Sequence, residues 1–353
     1  VDVDLKSPAE KAIEVVRESG PDDEPQRSDG RYVVDGTDLA LVDALQSDGR
    51  ARFSDLARRV DVTEKTVRKR VARLLSEGFI TIGAVTDPTR LGFEAMALVL
   101  LTVDGTRPPS GIADELSRLP QVDYVTVTTG PFMIQVELIC VDNVELRRVV
   151  AQSIRPTAGV ATAEVLPFLR IHYQQARFHR DDSRESGVRP RELDSLDQQI
   201  VAGLAVDGRV SFRELARGLQ VSEAAIRQRY AKLTESGAVH VMAIVNPLRM
   251  GFTHTCWAGI RLASGARARD VAEALTELPR TSYVALTVGR YDVLAELVTA
   301  SGEELLAVLD DGVRVIPGVG AVEVLVYEQL HYKTLLPRPE DAADDHDSDI
   351  QTV

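Results

Sequence analysis

Asp48-Gly49-Arg50-Ala51-Arg52-Phe53-Ser54-Asp55-Leu56-Ala57-Arg58 recurs as Asp207-Gly208-Arg209-Val210-Ser211-Phe212-Arg213-Glu214-Leu215-Ala216-Arg217. The offset is 159 positions, and it holds without a gap to the end of each half. Pro88 and Leu91-Gly92-Phe93 match Pro247 and Met250-Gly251-Phe252. Tyr124-Val125 and Gly130 match Tyr283-Val284 and Gly289, and His172-Tyr173 matches His331-Tyr332. One unit is therefore written twice, and the fold has to be assigned to the unit first. Between the copies, Ala176 to Glu192 mixes Arg, Asp, Ser, Gly and Pro and reads as a linker.

The quoted stretch lies inside a three-helix pattern. Before it, Leu39, Leu41, Val42 and Leu45 fall on one helical face. Asp48-Gly49-Arg50 makes a turn, and a second helix from about Phe53 to Val60 buries Leu56, Ala57 and Val60. Asp61-Val62 turns tightly. Thr63 then caps a third helix, which Gly78 ends. On that helix Val67, Val71, Leu74 and Leu75 are expected to pack inward, while Lys65, Arg68, Lys69 and Arg73 line the opposite face. The pattern reads as a helix-turn-helix whose recognition helix is expected to enter a major groove by its N-terminal residues; the alternative is a solvated helix face in a protein-interaction winged helix.

After Gly78 the period shortens. A strand from Phe79 to Val85 is followed by strand (Phe93 to Val103), helix (Ile112 to Leu119) and strand (Val122 to Thr129). A Gly130-Pro131 turn leads to strand (Met133 to Val141), helix (Val144 to Ile154) and strand (Ala161 to Ile171). The βαββαβ order is that of a ferredoxin-like split unit, with helices on one sheet face. The other face is apolar as well, and the second copy is its expected cover. The fold class expected is α+β: two winged helix-turn-helices, each followed by a ferredoxin-like domain, packed as an intramolecular pseudo-dimer. The division is 1–35, acidic N-terminal arm; 36–86, first helix-turn-helix; 87–175, first α/β domain; 176–193, linker; 194–245, second helix-turn-helix; 246–335, second α/β domain; and 336–353, acidic disordered tail.

A formal charge of −13 argues against nucleic acid until its distribution is read. Residues 1–30 carry −5 and residues 340–353 carry −6, so the body of the chain is close to neutral. Locally, Thr63 to Arg73 holds five bases and one acid, and Ser222 to Lys232 three bases and one acid. Such stripes attract phosphates whatever the total charge. Only 6 of the 41 basic residues are Lys; that balance suits a salt-adapted organism or a GC-rich genome. No apolar run is long enough to span a membrane, and the polar N-terminal segment has no secretory apolar core, so a cytoplasmic protein is expected. Cys140 and Cys256 form no CxxC and read as small buried hydrophobes.

The order helix-turn-helix, strand, βαββαβ resembles the leucine-responsive (Lrp/AsnC, feast/famine) regulators from Gly36 to Tyr332, twice over, with a RAM-type α/β domain in each copy. Members of that family commonly carry one copy and dimerise, so this chain is similar to a dimer fused into one polypeptide. The resemblance implies a transcription regulator with double-stranded DNA as partner, an amino-acid effector sensed by the α/β domain, and homo-oligomers formed through it. The DNA-binding set expected is Thr63, Lys65, Thr66, Arg68, Lys69, Arg70 and Arg73, with Ser222, Arg227, Gln228 and Arg229 in the second copy. Arg68, Lys69, Arg227 and Gln228 are placed nearest the bases. Arg70 and Arg229, at matching positions, either hold phosphates or fix the helix. Because the two helices differ, one chain should read an asymmetric site. The family's hairpin pattern Gly-x-Tyr-Asp is intact as Gly289-Arg290-Tyr291-Asp292, the expected effector site, where Asp292 offers a counter-charge to an ammonium group. The first copy departs from it as Gly130-Pro131-Phe132-Met133 and has lost the carboxylate.

Two rival classes are a DNA-free sensor scaffold that binds partners through its sheets, against which the Lys65 to Arg73 stripe argues, and an enzyme. Siroheme decarboxylases look similar to this family and carry a His-Asn-Tyr-x-Arg type stretch along the second strand and hairpin. Here those stretches are Tyr124 to Gly130 and Tyr283 to Gly289; they lack the His and Asn, and Arg290 is the base near the turn. Met250-Gly251-Phe252-Thr253-His254-Thr255 has a faint likeness to their first-strand region. No Ser-His-Asp set, phosphate-binding glycine loop or metal cluster is recognisable, so neither cofactor nor metal is expected. The repeated His172-Tyr173 and His331-Tyr332 read as sheet-edge or interface residues. Ser7-Pro8-Ala9-Glu10 reads as the capping box of a short helix.

Overall fold

The computed structural model describes residues 33–86, 88–174 and 193–332. The Ser7 capping box, the linker core and the acidic tail lie outside them.

Each half opens with the three expected helices. In the first they are α1 (Gly36–Ser47), α2 (Phe53–Arg59) and α3 (Glu64–Ser76). Asp35 caps α1 in a full capping box: it accepts from Asp38 N at 2.9 Å, and Asp38 accepts from Asp35 N at 3.2 Å. Asp35 therefore belongs to the helical module, which corrects the arm boundary. Thr63 caps α3 by accepting from Thr66 N. Leu75 is 38% exposed; the buried stripe of α3 is Val67, Val71 and Leu74, and Leu75 lies just past its edge. The second half repeats this in α6 (Ser195–Val206), α7 (Phe212–Gly218) and α8 (Glu223–Glu235). Leu193 is buried in this core and so belongs to the module rather than to the linker. The turn between the last two helices uses the same left-handed position in each copy, Asp61 (φ 54°) and Gln220 (φ 56°).

The wing strands β1 (Ile80–Val85) and β6 (His240–Val245) pair with each other, antiparallel, from Ile80↔Val245 to Val85↔His240. The packing is crossed: α1 lies against β6 and α6 against β1. As a result the two helix-turn-helices share a single core, in which Leu41, Leu45, Val71, Ile80, Leu204 and Val241 are all buried.

The remaining elements are β2 (Ala95–Val103), α4 (Pro109–Leu116), β3 (Val122–Thr128), β4 (Ile134–Cys140), α5 (Asn143–Val149) and β5 (Val160–Gln174). Their counterparts are β7 (Cys256–Leu262), α9 (Ala268–Thr276), β8 (Thr281–Thr287), β9 (Val293–Leu297), α10 (Gly302–Ala307) and β10 (Val319–Tyr332). The helix expected at Val144 to Ile154 is α5 followed by a wider π-type turn over Val150–Ile154. The eight strands close into one barrel, in the order β10-β3-β4-β2-β5-β8-β9-β7. Its two seams join the halves: β10 with β3, and β5 with β8. The second copy thus covers the first by edge-to-edge closure, which leaves no open edge in the barrel.

Strand alternation serves two cores. On β2, Ala97, Val99 and Leu101 pack with Ile112 and Leu116 of α4. Leu98 and Leu100 join the barrel interior with Tyr124, Leu166, Trp257, Tyr283 and Tyr327. That interior also holds carboxylates at matching repeat positions. Tyr283 donates to Glu137 Oε1 at 3.1 Å, and Tyr327 donates to Glu296 Oε1 at 2.8 Å. Burial pushes the Glu296 carboxyl up, although hydrogen bonds from Ser282 and Tyr327 pull the other way. Cys140 and Cys256 are buried and form no disulfide, and burial pushes the Cys256 thiol up to about 12. No helix among the described residues is long and apolar enough to cross a membrane.

Candidate nucleic-acid interface

Helix α3 sorts its predicted residues by direction. Lys65, Arg68 and Lys69 are exposed, while Thr66, Arg70 and Arg73 are half-buried. Thr63 and Thr66 hold each other, hydroxyl to hydroxyl, at 2.9 Å. Arg68 bonds Glu64 one turn back at 2.5 Å, and its guanidinium carbon lies 4.8 Å from the Phe53 ring centroid. Helix α8 repeats the arrangement. Ser222 is its cap, Arg227 bonds Glu223 at 2.6 Å and lies 5.2 Å from the Phe212 ring, and Gln228 is exposed. In both copies a fork-shaped donor stands on an aromatic platform at the start of the recognition helix. That chemistry suits the paired acceptors of guanine.

Arg70 and Arg229 do not join them. Arg70 donates to Asp35 at 2.7 Å and to Asp38 at 3.0 Å, and Asp38 is fully buried. Burial alone lowers the Arg70 pKa, but the hydrogen bonds to Asp35 and Asp38 outweigh it and the net shift is upward. Arg229 makes the equivalent bonds to Asp194 at 2.5 Å and Asp197 at 2.8 Å. Of the two roles open to these arginines, both take the helix-fixing one. Each ties the recognition helix to the cap of its module's first helix.

The sequence reading missed a further pair, in the very motif that exposed the repeat. Arg50 donates to Gly208 O at 2.5 Å and Val210 O at 3.1 Å. Arg209 donates to Gly49 O at 2.6 Å and Ala51 O at 3.0 Å. Each arginine reaches into the other half and binds the backbone of the other's turn. Arg50 also lies 4.4 Å from the Phe212 ring, and Arg209 4.4 Å from the Phe53 ring. Burial lowers both pKa values; Arg227 near Arg50, and Arg50 and Arg68 near Arg209, add in the same direction. The signal available was Asp-Gly-Arg recurring intact among variable neighbours, which a turn alone does not require.

At the expected effector site, each residue of the hairpin is already engaged within the chain. A Cβ on Gly289 would lie 3.2 Å from Leu166. Arg290 pairs with Glu164 of the first half at 2.9 Å and lies 4.9 Å from the Phe132 ring. Tyr291 is buried and donates to Glu323 at 2.7 Å. Asp292 is exposed, and its Oδ2 accepts from Leu262 N at 2.9 Å. In the first copy Thr128 and Gln135 donate to the Phe132 carbonyl, and Met133 is exposed. His331 lies 3.6 Å from Asp114 across a seam.

Residues 34–75 and 193–234 match the AsnC-type helix-turn-helix domain. Residues 96–178 match the Lrp/AsnC ligand binding domain, and 267–335 match the PF0864 C-terminal dimeric alpha+beta barrel domain. An uncharacterized HTH-type transcriptional regulator of Pyrococcus abyssi is 33% identical over 132 residues, which is 37% of this chain and 83% of that protein. The HTH-type transcriptional regulator FL11 of the same organism is 32% identical over 143 residues, 40% of this chain and 93% of the relative. Each of these relatives corresponds to roughly one half of this chain. Among solved structures, the siroheme decarboxylase NirDL is 18% identical with a TM-score of 0.57, covering 85% of this chain and 94% of that one; the likeness is one of fold. With an AsnC-type helix-turn-helix in each half and an alpha+beta domain match after each, the chain belongs to the Lrp/AsnC family, as a tandem duplication.

Proposed function

We propose that this protein is a sequence-specific DNA-binding transcription regulator that reads a bipartite, asymmetric site. One observation carries the reading. Two helix-turn-helices of different sequence share one core, and each presents exposed donors at the start of its recognition helix. Lys65, Arg68 and Lys69 read one arm, and Arg227 and Gln228 the other. Thr63, Thr66, Ser222 and Arg73 support phosphate contacts at the helix ends. A cytoplasmic location is part of this reading. Selection of bound genomic fragments at moderate and at high salt tests it. Enrichment of one two-armed, non-palindromic sequence is expected. Failure to enrich at either salt would remove the reading.

An amino-acid effector bound at the Gly289–Asp292 hairpin is part of the proposal, as is further association of chains through the barrel domains. The intact hairpin pattern and the exposed Asp292 carboxylate support the first. The second follows from the family's domain, not from the barrel seams, which the two halves close within one chain. Asp292→Ala is expected to abolish any amino-acid response in DNA binding, and a retained response would sink the assignment. The decarboxylase alternative has a likeness of fold behind it. Titration with siroheme is expected to leave its absorbance unchanged.

A further inference from the structure

The two platforms are shared across the halves. Phe53 carries Arg68 of its own recognition helix at 4.8 Å and Arg209 of the other half at 4.4 Å. Phe212 carries Arg227 of its own module at 5.2 Å and Arg50 of the other half at 4.4 Å. Arg50 also lies 5.6 Å from Tyr230 on α8, whose ring packs against Phe212 at 5.1 Å. Each cross-half arginine is held by two hydrogen bonds to backbone carbonyls, so its position is not free to adjust. A planar guanidinium fixed in this way limits where the ring can sit. The ring in turn limits where the base-reading arginine can sit.

We infer that Arg50 and Arg209 are crossed positioning residues: Arg209 sets the pose of Arg68 through Phe53, and Arg50 sets the pose of Arg227 through Phe212. Each half therefore tunes the base reading of the other half. The inference rests on the DNA-binding reading above and makes a claim that reading does not. A change in the second half should damage recognition by the first recognition helix, and the reverse. A purely structural clasp would weaken both arms alike. A purely electrostatic effect would be restored by any positive charge at the position.

The test uses the full chain and the two-armed site it selects. The arm whose sequence discrimination falls in Arg68→Ala is assigned to α3, and the arm that falls in Arg227→Ala to α8. Discrimination at each arm is then measured as the ratio of affinities for the selected and the arm-scrambled duplex. Arg209→Met and Arg209→Lys are both expected to lose about tenfold discrimination at the α3 arm and to keep it at the α8 arm. Arg50→Met and Arg50→Lys are expected to do the opposite. Phe53→Leu, which leaves the clasp hydrogen bonds in place, should reproduce the Arg209 loss at the α3 arm, so the inference stays testable should an arginine variant fail to fold. Equal loss at both arms, full recovery with lysine, or unchanged discrimination in Phe53→Leu would each overturn it. If the wild-type chain selects no site, the regulator reading itself has failed and this inference falls with it. If it selects a site but the losses are not crossed, the inference alone has failed.

Discussion

Arg68 and Arg70 stand two positions apart on one helix and have opposite fates. Arg68 faces solvent on an aromatic platform, whereas Arg70, 17% exposed, closes on a fully buried aspartate. Residue type cannot separate them; the direction of each side chain around the helix does. Removing Arg70 takes a cation and a hydrogen bond from the buried Asp38, so Arg70→Ala is expected to lower stability by about 1–3 kcal/mol in denaturant titration. Arg229→Ala should cost less, because Arg229 and Asp194 are the more exposed partners. The reverse order would refute the helix-fixing assignment. Glu296 makes a residue-scale prediction of a different kind. Its folded pKa lies above its ordinary value. The folded state therefore holds this proton more tightly, and the contribution is fully present at pH below the ordinary value of 4.5. It is lost as pH rises through the folded pKa. Glu296→Gln should flatten the decline in stability across that window, as measured by melting temperature against pH. Parallel curves for the two proteins would count against it.

At the scale of elements, the β1–β6 ribbon matters most for function, because it joins the two DNA-reading modules. The strand Phe79 to Val85 is legible from its period, but its partner is not. Pairing with the other copy's strand follows from crossed packing, with α1 on β6 and α6 on β1. The glycines of the repeated turn show how close the approach is. A Cβ on Gly49 would lie 2.8 Å from Met242 N and Cα, and one on Gly208 would lie 2.9 Å from Ile82 O. Both contacts are with backbone, which cannot swing aside as a side-chain tip can. Gly49→Ala is expected to cost about 1–3 kcal/mol through overpacking, read in chemical denaturation. A neutral substitution would show that the ribbon is looser than its geometry implies.

At the scale of the molecule, the barrel makes the halves dependent on each other. Both seams, β10 with β3 and β5 with β8, cross between copies. A fragment of residues 33–174 would expose the edges of β3 and β5 together with the apolar face bearing Leu98, Leu100 and Leu166. Expressed alone, it should self-associate or aggregate, with sedimentation velocity as the check. A folded monomer would show that closure is dispensable. The intact chain closes these edges internally. Two copies free to diverge can then carry different recognition helices and different hairpins in one particle.

The sequence by itself determined the repeat, the helix-turn-helix and βαββαβ orders, and the polar face of each recognition helix. The repeat is visible by aligning the chain with itself, and the other features are local: they depend on period, capping residues and turns within a few positions along the chain. Even the loss of the first hairpin's carboxylate, Met133 against Asp292, was visible in the aligned copies. Tertiary structure alone decided that the sheets close by their edges, that Arg70 and Arg229 fix helices, and that Asp-Gly-Arg is a clasp between halves. It also placed Glu137 and Glu296 with tyrosines inside the barrel. Each of these depends on contacts between residues far apart in the chain. Such contacts follow from three-dimensional packing, which sequence spacing does not encode.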